Sequence, residues 1–114
     1  MAKKKFRRSF RKNTRINHPA YIIDQDGNMY AYIGITHSET IKKEKINKGK
    51  AYNEKNVLLD KNPDPRDTRK AYVRPVVESD HIKNFGRRYD DWSFAKSDKR
   101  KVNRIIGKYK KGKN

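Results

Sequence analysis

From Met29 to Thr36 the chain alternates, with Ala31, Ile33 and Ile35 on one side and Tyr30, Tyr32 and Gly34 on the other. That period of two predicts a strand with one greasy face, which is the natural core face. A partner strand reads Ala20-Tyr21-Ile22-Ile23, with Pro19 tolerated at its start, and Asp26-Gly27-Asn28 supplies turn residues that accept positive φ. Together they predict a hairpin. Further on, Asn56-Val57-Leu58-Leu59 predicts a short core strand, and Asn62-Pro63-Asp64-Pro65 a turn. Residues 71–77 predict a strand in which Pro75 marks an edge or a bulge. Residues 79–91 read as a polar connector around Phe85-Gly86, and Trp92-Ser93-Phe94 as a short strand or apolar anchor. The period then changes. Val102, Ile105, Ile106 and Tyr109 follow at i, i+3, i+4 and i+7, which predicts a helix over about 97–109 with Ser97 as N-cap and Asp98 at its positive end. Residues 39–55 are Lys-rich and aperiodic and predict an exposed loop, with one helical turn near Glu39–Lys45.

These elements predict a mostly β fold with a C-terminal α-helix, built as a small bent sheet or an SH3-like or OB-like barrel. The chain has 114 residues, room for one domain. Its division is expected to be a flexible basic arm over 1–15, disordered when free, a compact domain over 16–109 and a basic tail over 110–114.

Charge sharpens that division. Residues 1–15 carry eight Lys/Arg and no acid, and residues 96–114 carry nine against the single acid Asp98. The remaining 16–95 hold fourteen basic and twelve acidic side chains, so nearly all of the formal +18 lies at the two ends. Cations segregated from a balanced body suit a polyanion, since bound phosphates release counterions. A basic amphipathic membrane helix needs exposed large apolar residues, and here the helix stripe is taken by the core, so no membrane partner is expected. No apolar run approaches a bilayer span, the basic N-terminus lacks the apolar segment of a secretory signal, and cysteine is absent. The expectation is a cytoplasmic protein without disulfides, thiolate metal sites or cofactors.

The expected partner is nucleic acid, RNA in preference to DNA. From the N-terminal side Lys3, Lys4, Lys5, Arg7, Arg8, Arg11 and Arg15 are candidate phosphate contacts. Arg100, Arg104, Lys108, Lys110 and Lys111 are their counterparts at the other end, with Arg69 and Lys70 between. Tyr30 and Tyr32 share a strand face and are candidate platforms for unpaired bases. The alternative is that this face is core. His18 and the Thr36-His37-Ser38 cluster lie at the same end of the predicted hairpin. Histidine beside hydroxyls can do acid–base work on an RNA 2′-hydroxyl without metal, which makes His18, Thr36 and His37 candidate catalytic residues. The alternative is that they are ordinary polar residues at a sheet margin. Histidines 18, 37 and 81 show no metal-ligand spacing, so no metal is expected.

The string His18-Pro19-Ala20-Tyr21-Ile22-Ile23, followed by Gly34-Ile35-Thr36-His37-Ser38, resembles the strand pair of PemK/MazF-like toxin ribonucleases. The resemblance covers residues 18–38 and implies an SH3-like barrel that cleaves single-stranded RNA without metal. It implies that His18 takes the position of the family's Arg and Thr36 that of its Thr, with an acidic protein or antitoxin as partner. The departures are the Arg-to-His change at 18 and the basic arm in place of the family's opening strand.

Overall fold

The computed structural model describes residues 6–39 and 55–112. Seven strands form one sheet: β1 (Ser9–Asn13), β2 (His18–Asp26), β3 (Met29–Thr36), β4 (Val57–Leu58), β5 (Tyr72–Val73), β6 (Glu78–His81) and β7 (Phe85–Arg88). A single helix, α1 (Lys96–Gly112), follows them. The order across the sheet is β4-β5-β3-β2-β1-β7, with β6 also paired to β3. All pairings are antiparallel.

The frame is the meander β1-β2-β3. Its second hairpin closes with Asp26 opposite Met29, and Gly27 takes a φ of +58° in the loop. Its first hairpin closes with Asn13 opposite His18. Within that loop Asn13 Oδ1 accepts from the backbone N–H groups of Arg15 and Ile16, and Asn17 adopts a φ of +58°, a conformation asparagine tolerates. Within the expected flexible arm, Ser9–Asn13 is a strand, β1, and residues 1–5 lie outside the described residues. Although every residue but Phe10 in the run Arg7–Lys12 is cationic or polar, Ser9–Asn13 finds a ladder on both sides, from β2 and from β7. Phe10 packs into the core, while Arg11 turns to the inner side of the bend and Lys12 is exposed.

Strand β3 carries two partners along one margin. Met29–Tyr32 pair with β6, and Ile35–Thr36 pair with β5. Between them Gly34 lets the Arg74 side chain cross the strand: a Cβ on Gly34 would lie 3.2 Å from Arg74 Cδ. Residues 79–91 are therefore not a connector, because they contain β6 and β7. The predicted strand over 71–77 shortens to Tyr72–Val73, and Trp92-Ser93-Phe94 is an anchor rather than a strand.

The barrel expectation is also corrected. Strands β6 and β7 are joined by one 3-10 turn, Ile82–Asn84, yet β6 pairs with β3 and β7 with β1 at opposite margins of the meander. The turn touches both hairpin ends: Ile82 N donates to Asn28 O at 2.8 Å and Thr14 N to Asn84 O at 2.7 Å. The meander is thus strongly bent, helped by the bulge at Ile23, where the register shifts between Ile22 and Asp24. No ladder joins β6 to β7, so the sheet stays open. It is an open, bent sheet with one C-terminal helix.

The bend separates two apolar clusters. One face of β2 and β3 contributes Ile23, Ala31, Ile33 and Ile35, which pack with Phe10, Phe94 and the helix residues Val102, Ile105 and Ile106. The inner side of the bend holds Ala20, Ile22 and Tyr32 against Phe6, Ile16, Tyr30 and Phe85. Helix α1 is tied down at its start by Asp98, fully buried, whose carboxylate accepts from Asp60 N at 2.7 Å and Lys61 N at 3.1 Å. The helix begins one residue before the predicted N-cap: Ser97 lies inside it and donates to Asp60 Oδ2.

Candidate functional site

The cations fall into two populations. One is held by carboxylates: Arg15 on Asp80 (2.7 Å), Arg69 on Asp67 (2.7 Å), Arg74 on Glu78 (3.3 Å), and Arg66 on Asp91; Lys61, Lys70, Lys83 and Arg87 of the body form no ion pair among the described residues. Ion pairing pushes the guanidinium groups of Arg15, Arg66 and Arg69 up and holds the carboxyls of Asp67 and Asp91 below the usual range, chiefly through the hydrogen bonds themselves. Lys101, on the inward side of α1, belongs to the same population. Burial opposes its charge, but the Asp60 and Asp98 carboxylates outweigh that and raise its pKa.

The second population is unpaired. Arg100, Arg104, Lys108, Lys110 and Lys111 are exposed on α1, and none forms an ion pair among the described residues. Arg100, Arg104, Lys108 and Lys111 succeed one another at spacings of four, four and three, so they form one row about 16 Å long on the solvent side. Arg7 and Arg8 are likewise exposed without ion pairs among the described residues. Lys3, Lys4 and Lys5 lie outside the described residues, as does most of the predicted 39–55 loop.

Beside this row the start of α1, the end of β7 and the residues before β1 enclose a cavity of about 360 Å³. Its wall is aromatic. Tyr89 and Trp92 stack at 4.5 Å with 18° between their planes, and Phe10 packs on Phe94 at 4.9 Å and on Tyr21 at 4.8 Å. The rim is cationic, with Arg7, Arg8, Arg88 and Lys99 against the single carboxylate of Asp90. Asp90 stands 3.6 Å from Arg88, and both are well exposed. Asn103, one helical turn beyond Lys99, lines the cavity with an exposed amide. Sequence reasoning missed most of this group because the wall comes from β1, β2 and the 89–94 segment. The available clue was Tyr89 and Trp92 immediately after Arg87-Arg88.

The predicted base platform is not there. Tyr32 is only 2% exposed and faces the inner side of the bend, where burial first and then Glu78 and Asp80 push its hydroxyl up to about 12. Tyr30 is half-buried and packs edge-on against Phe85 (5.2 Å) and Phe6 (6.3 Å), with the Arg11 guanidinium 5.7 Å from its ring centre. Arg11 is committed inward too, donating to Gly86 O at 2.8 Å. Both faces of β3 are therefore interior, one beneath the helix and one inside the bend.

At the hairpin end the β2–β3 register stops at Ala20 opposite Gly34; beyond it His18 pairs with Asn13 and Thr36 with Tyr72. Thr36 Oγ1 accepts from Ser38 N at 3.3 Å. His37 is used structurally: Nδ1 lies 3.1 Å from Lys70 O and Nε2 3.7 Å from Asp67. Arg69 reaches the same Asp67, so the Asp67–Lys70 loop is latched onto the end of β3. Among the described residues no group of three His, Asp or Glu side chains could hold a metal ion. No helix among them is long and apolar enough to cross a membrane.

Comparison with protein-family models, curated proteins and solved structures found no match to this chain. The resemblance to PemK/MazF-like toxins is therefore corrected on two grounds. No family model or solved structure carries it, and the open sheet is not an SH3-like barrel. With it go the toxin–antitoxin and endoribonuclease assignments that it implied for His18 and Thr36.

Proposed function

We propose that this protein binds nucleic acid, with RNA preferred, by seating the phosphate backbone along the exposed row of α1. The observation that carries the reading is the sorting of cations. Carboxylates hold Arg15, Arg66, Arg69 and Arg74, while Arg100, Arg104, Lys108 and Lys111 stand together, exposed and without ion pairs among the described residues, on one side of a rigid helix. An array of this kind attracts phosphates through counterion release, and the helix costs little to order because it is already docked through Val102, Ile105 and Ile106. Arg7 and Arg8 extend the cationic surface to the start of β1. RNA is favoured because unpaired, accessible bases are the form in which RNA is usually recognised, and an aromatic cavity adjoins the row.

The test is the salt dependence of binding to a mixed-sequence single-stranded RNA and to its DNA counterpart. Each phosphate contact on a single strand adds about 0.7 to the slope of log affinity against log salt. Replacing Arg100, Arg104, Lys108 and Lys111 together by alanine should lower that slope by roughly 3 without unfolding the protein, since all are exposed. Affinity indifferent to salt, or an unchanged slope in the quadruple variant, would rule the reading out. Stronger binding to the DNA strand would remove the preference for RNA.

A further inference from the structure

Resting on the nucleic-acid reading, we propose that the cavity between α1, β1 and the 89–94 segment receives one unstacked base of a single strand whose phosphates lie on α1. Three features converge on that occupant. The first is shape and chemistry together. A space of about 360 Å³ lies within the roughly 300–1,000 Å³ typical of small-ligand sites, and its wall contains an already parallel pair of rings. A third planar ring added to the Tyr89–Trp92 stack continues an arrangement that aromatic systems favour.

The second is charge. Four rim cations face one carboxylate, so the entrance favours an anion while aromatic rings form part of the wall. A nucleotide has that dual character, a planar apolar face joined to a phosphate. A neutral apolar ligand gains nothing from the rim. An acidic peptide satisfies the rim and leaves most of the wall unused. Asn103 provides, beside the wall, an amide able to donate and to accept, as the polar edge of a base requires.

The third is continuity. Lys99 and Asn103 each precede by one residue a member of the phosphate row, Arg100 and Arg104. The cavity mouth and the row are thus neighbouring strips of one helix. A strand following the row passes the mouth, and a base turned from its own stack enters without leaving the cationic surface. The Trp92 indole also has a loose end. Its Nε1–H is buried and makes no hydrogen bond among the described residues, so no polar contact there fixes the ring.

Trp92 is the chain's single tryptophan, so its emission reports on the cavity directly. The full chain is titrated at low salt with a short oligouridylate, with the same ribose-phosphate backbone lacking bases, and with polyglutamate. The expected result is saturable quenching by oligouridylate, no quenching by the abasic strand, and tighter binding of the base-bearing strand by on the order of ten-fold. Tyr89→Ala should abolish most of that advantage while leaving abasic binding unchanged. Lys99→Ala with Asn103→Ala, both exposed, should reduce it in a variant whose fold is not at risk. If base-bearing and abasic strands bind equally and the emission stays constant, the base site is refuted while the phosphate reading stands. If neither strand binds at low salt, the phosphate reading itself fails and the base site falls with it. Quenching by polyglutamate equal to that by RNA overturns the assignment of a base as occupant.

Discussion

Asp80 is the side chain on which the bend of the sheet most depends, and replacing it by alanine is the sharpest test of how this fold is held. The carboxylate is 8% exposed and collects four donors: Asn13 Nδ2 at 2.9 Å, Arg15 Nε at 2.7 Å, Asn84 Nδ2 at 2.8 Å and the His81 backbone N–H at 2.8 Å. Two of them lie across the bend, in the β1 end and its following loop, so Asp80 joins β6 to a strand it does not pair with. Arg15 is 55% exposed, and its share is screened to a fraction of a kcal/mol. Asn13 is fully buried, and without Asp80 its Nδ2 donor has no partner among the described residues, a penalty of about 1–3 kcal/mol. With the loss of the remaining charge-assisted bonds the expected cost is about 3 kcal/mol, or on the order of 12–24 °C in Tm for a domain of this size. Thermal unfolding followed by circular dichroism measures it, with Asp90→Asn as the control, since that carboxylate is 79% exposed.

Acid adds a second readout. Burial opposes the Asp80 charge, but the Asn13, Arg15 and Asn84 hydrogen bonds prevail and hold its folded pKa well below the usual carboxylate range. A depressed folded pKa contributes stability that is complete above the unfolded value of about 3.9 and is lost as pH falls through it towards the folded pKa. The Tm difference between wild type and Asp80→Ala should therefore be widest near neutrality and narrow steadily below about pH 4. A Tm shift of Asp80→Ala no larger than that of Asp90→Asn, or a difference independent of pH, would refute the assignment of Asp80 as the tie.

Tyr32 makes the alkaline counterpart. Its folded pKa is raised to about 12, so its contribution is complete below the unfolded value of about 10 and is lost as pH rises through 12. Ultraviolet titration of Tyr32→Phe should lack an ionisation step near pH 12, and the variant should lose less stability between pH 10 and 12 than wild type. Ile33 is completely buried between sheet and helix, and Ile33→Ala should cost about 2–5 kcal/mol in denaturant unfolding. Arg104→Ala, in the exposed row, should stay within about 0.5 kcal/mol of wild type in the same assay, which separates binding residues from folding residues.

Elements whose partners are near in sequence were legible from pattern alone. The β2–β3 hairpin announces itself through alternation and a glycine turn, and α1 through its 3.6-residue stripe, because each local period matches the face that is buried. Strands β1 and β6 were not legible for the opposite reason. Ser-Phe-Arg-Lys-Asn contributes one apolar side chain, Phe10, to the core, and Glu-Ser-Asp-His contributes none to either apolar cluster. The β1–β7 and β3–β6 ladders and the Asn13–Asp80 contact help make these segments strands, and all three join residues far apart in the chain; the local β1–β2 ladder carries too little apolar alternation to announce itself. The tyrosines of β3 misled for a related reason. Alternation distinguishes two faces of a strand, but a bent sheet buries both.

By itself, then, the sequence determined a mostly β chain ending in a docked helix, with excess cations segregated at its ends. Composition and local period are properties of short segments, and these conclusions needed nothing more. Only the tertiary structure decided that the sheet stays open, since β6 and β7, adjacent in the chain, pair at opposite margins and form no ladder with each other. It alone separated paired from unpaired cations, because a carboxylate neutralises the guanidinium it reaches in space. It alone gathered Phe10, Tyr21, Tyr89 and Trp92 around one cavity beside the cationic row. Neither sequence end is a simple basic arm: the described part of the first is a sheet strand, and the second is a helix with one face in the core and the other left charged.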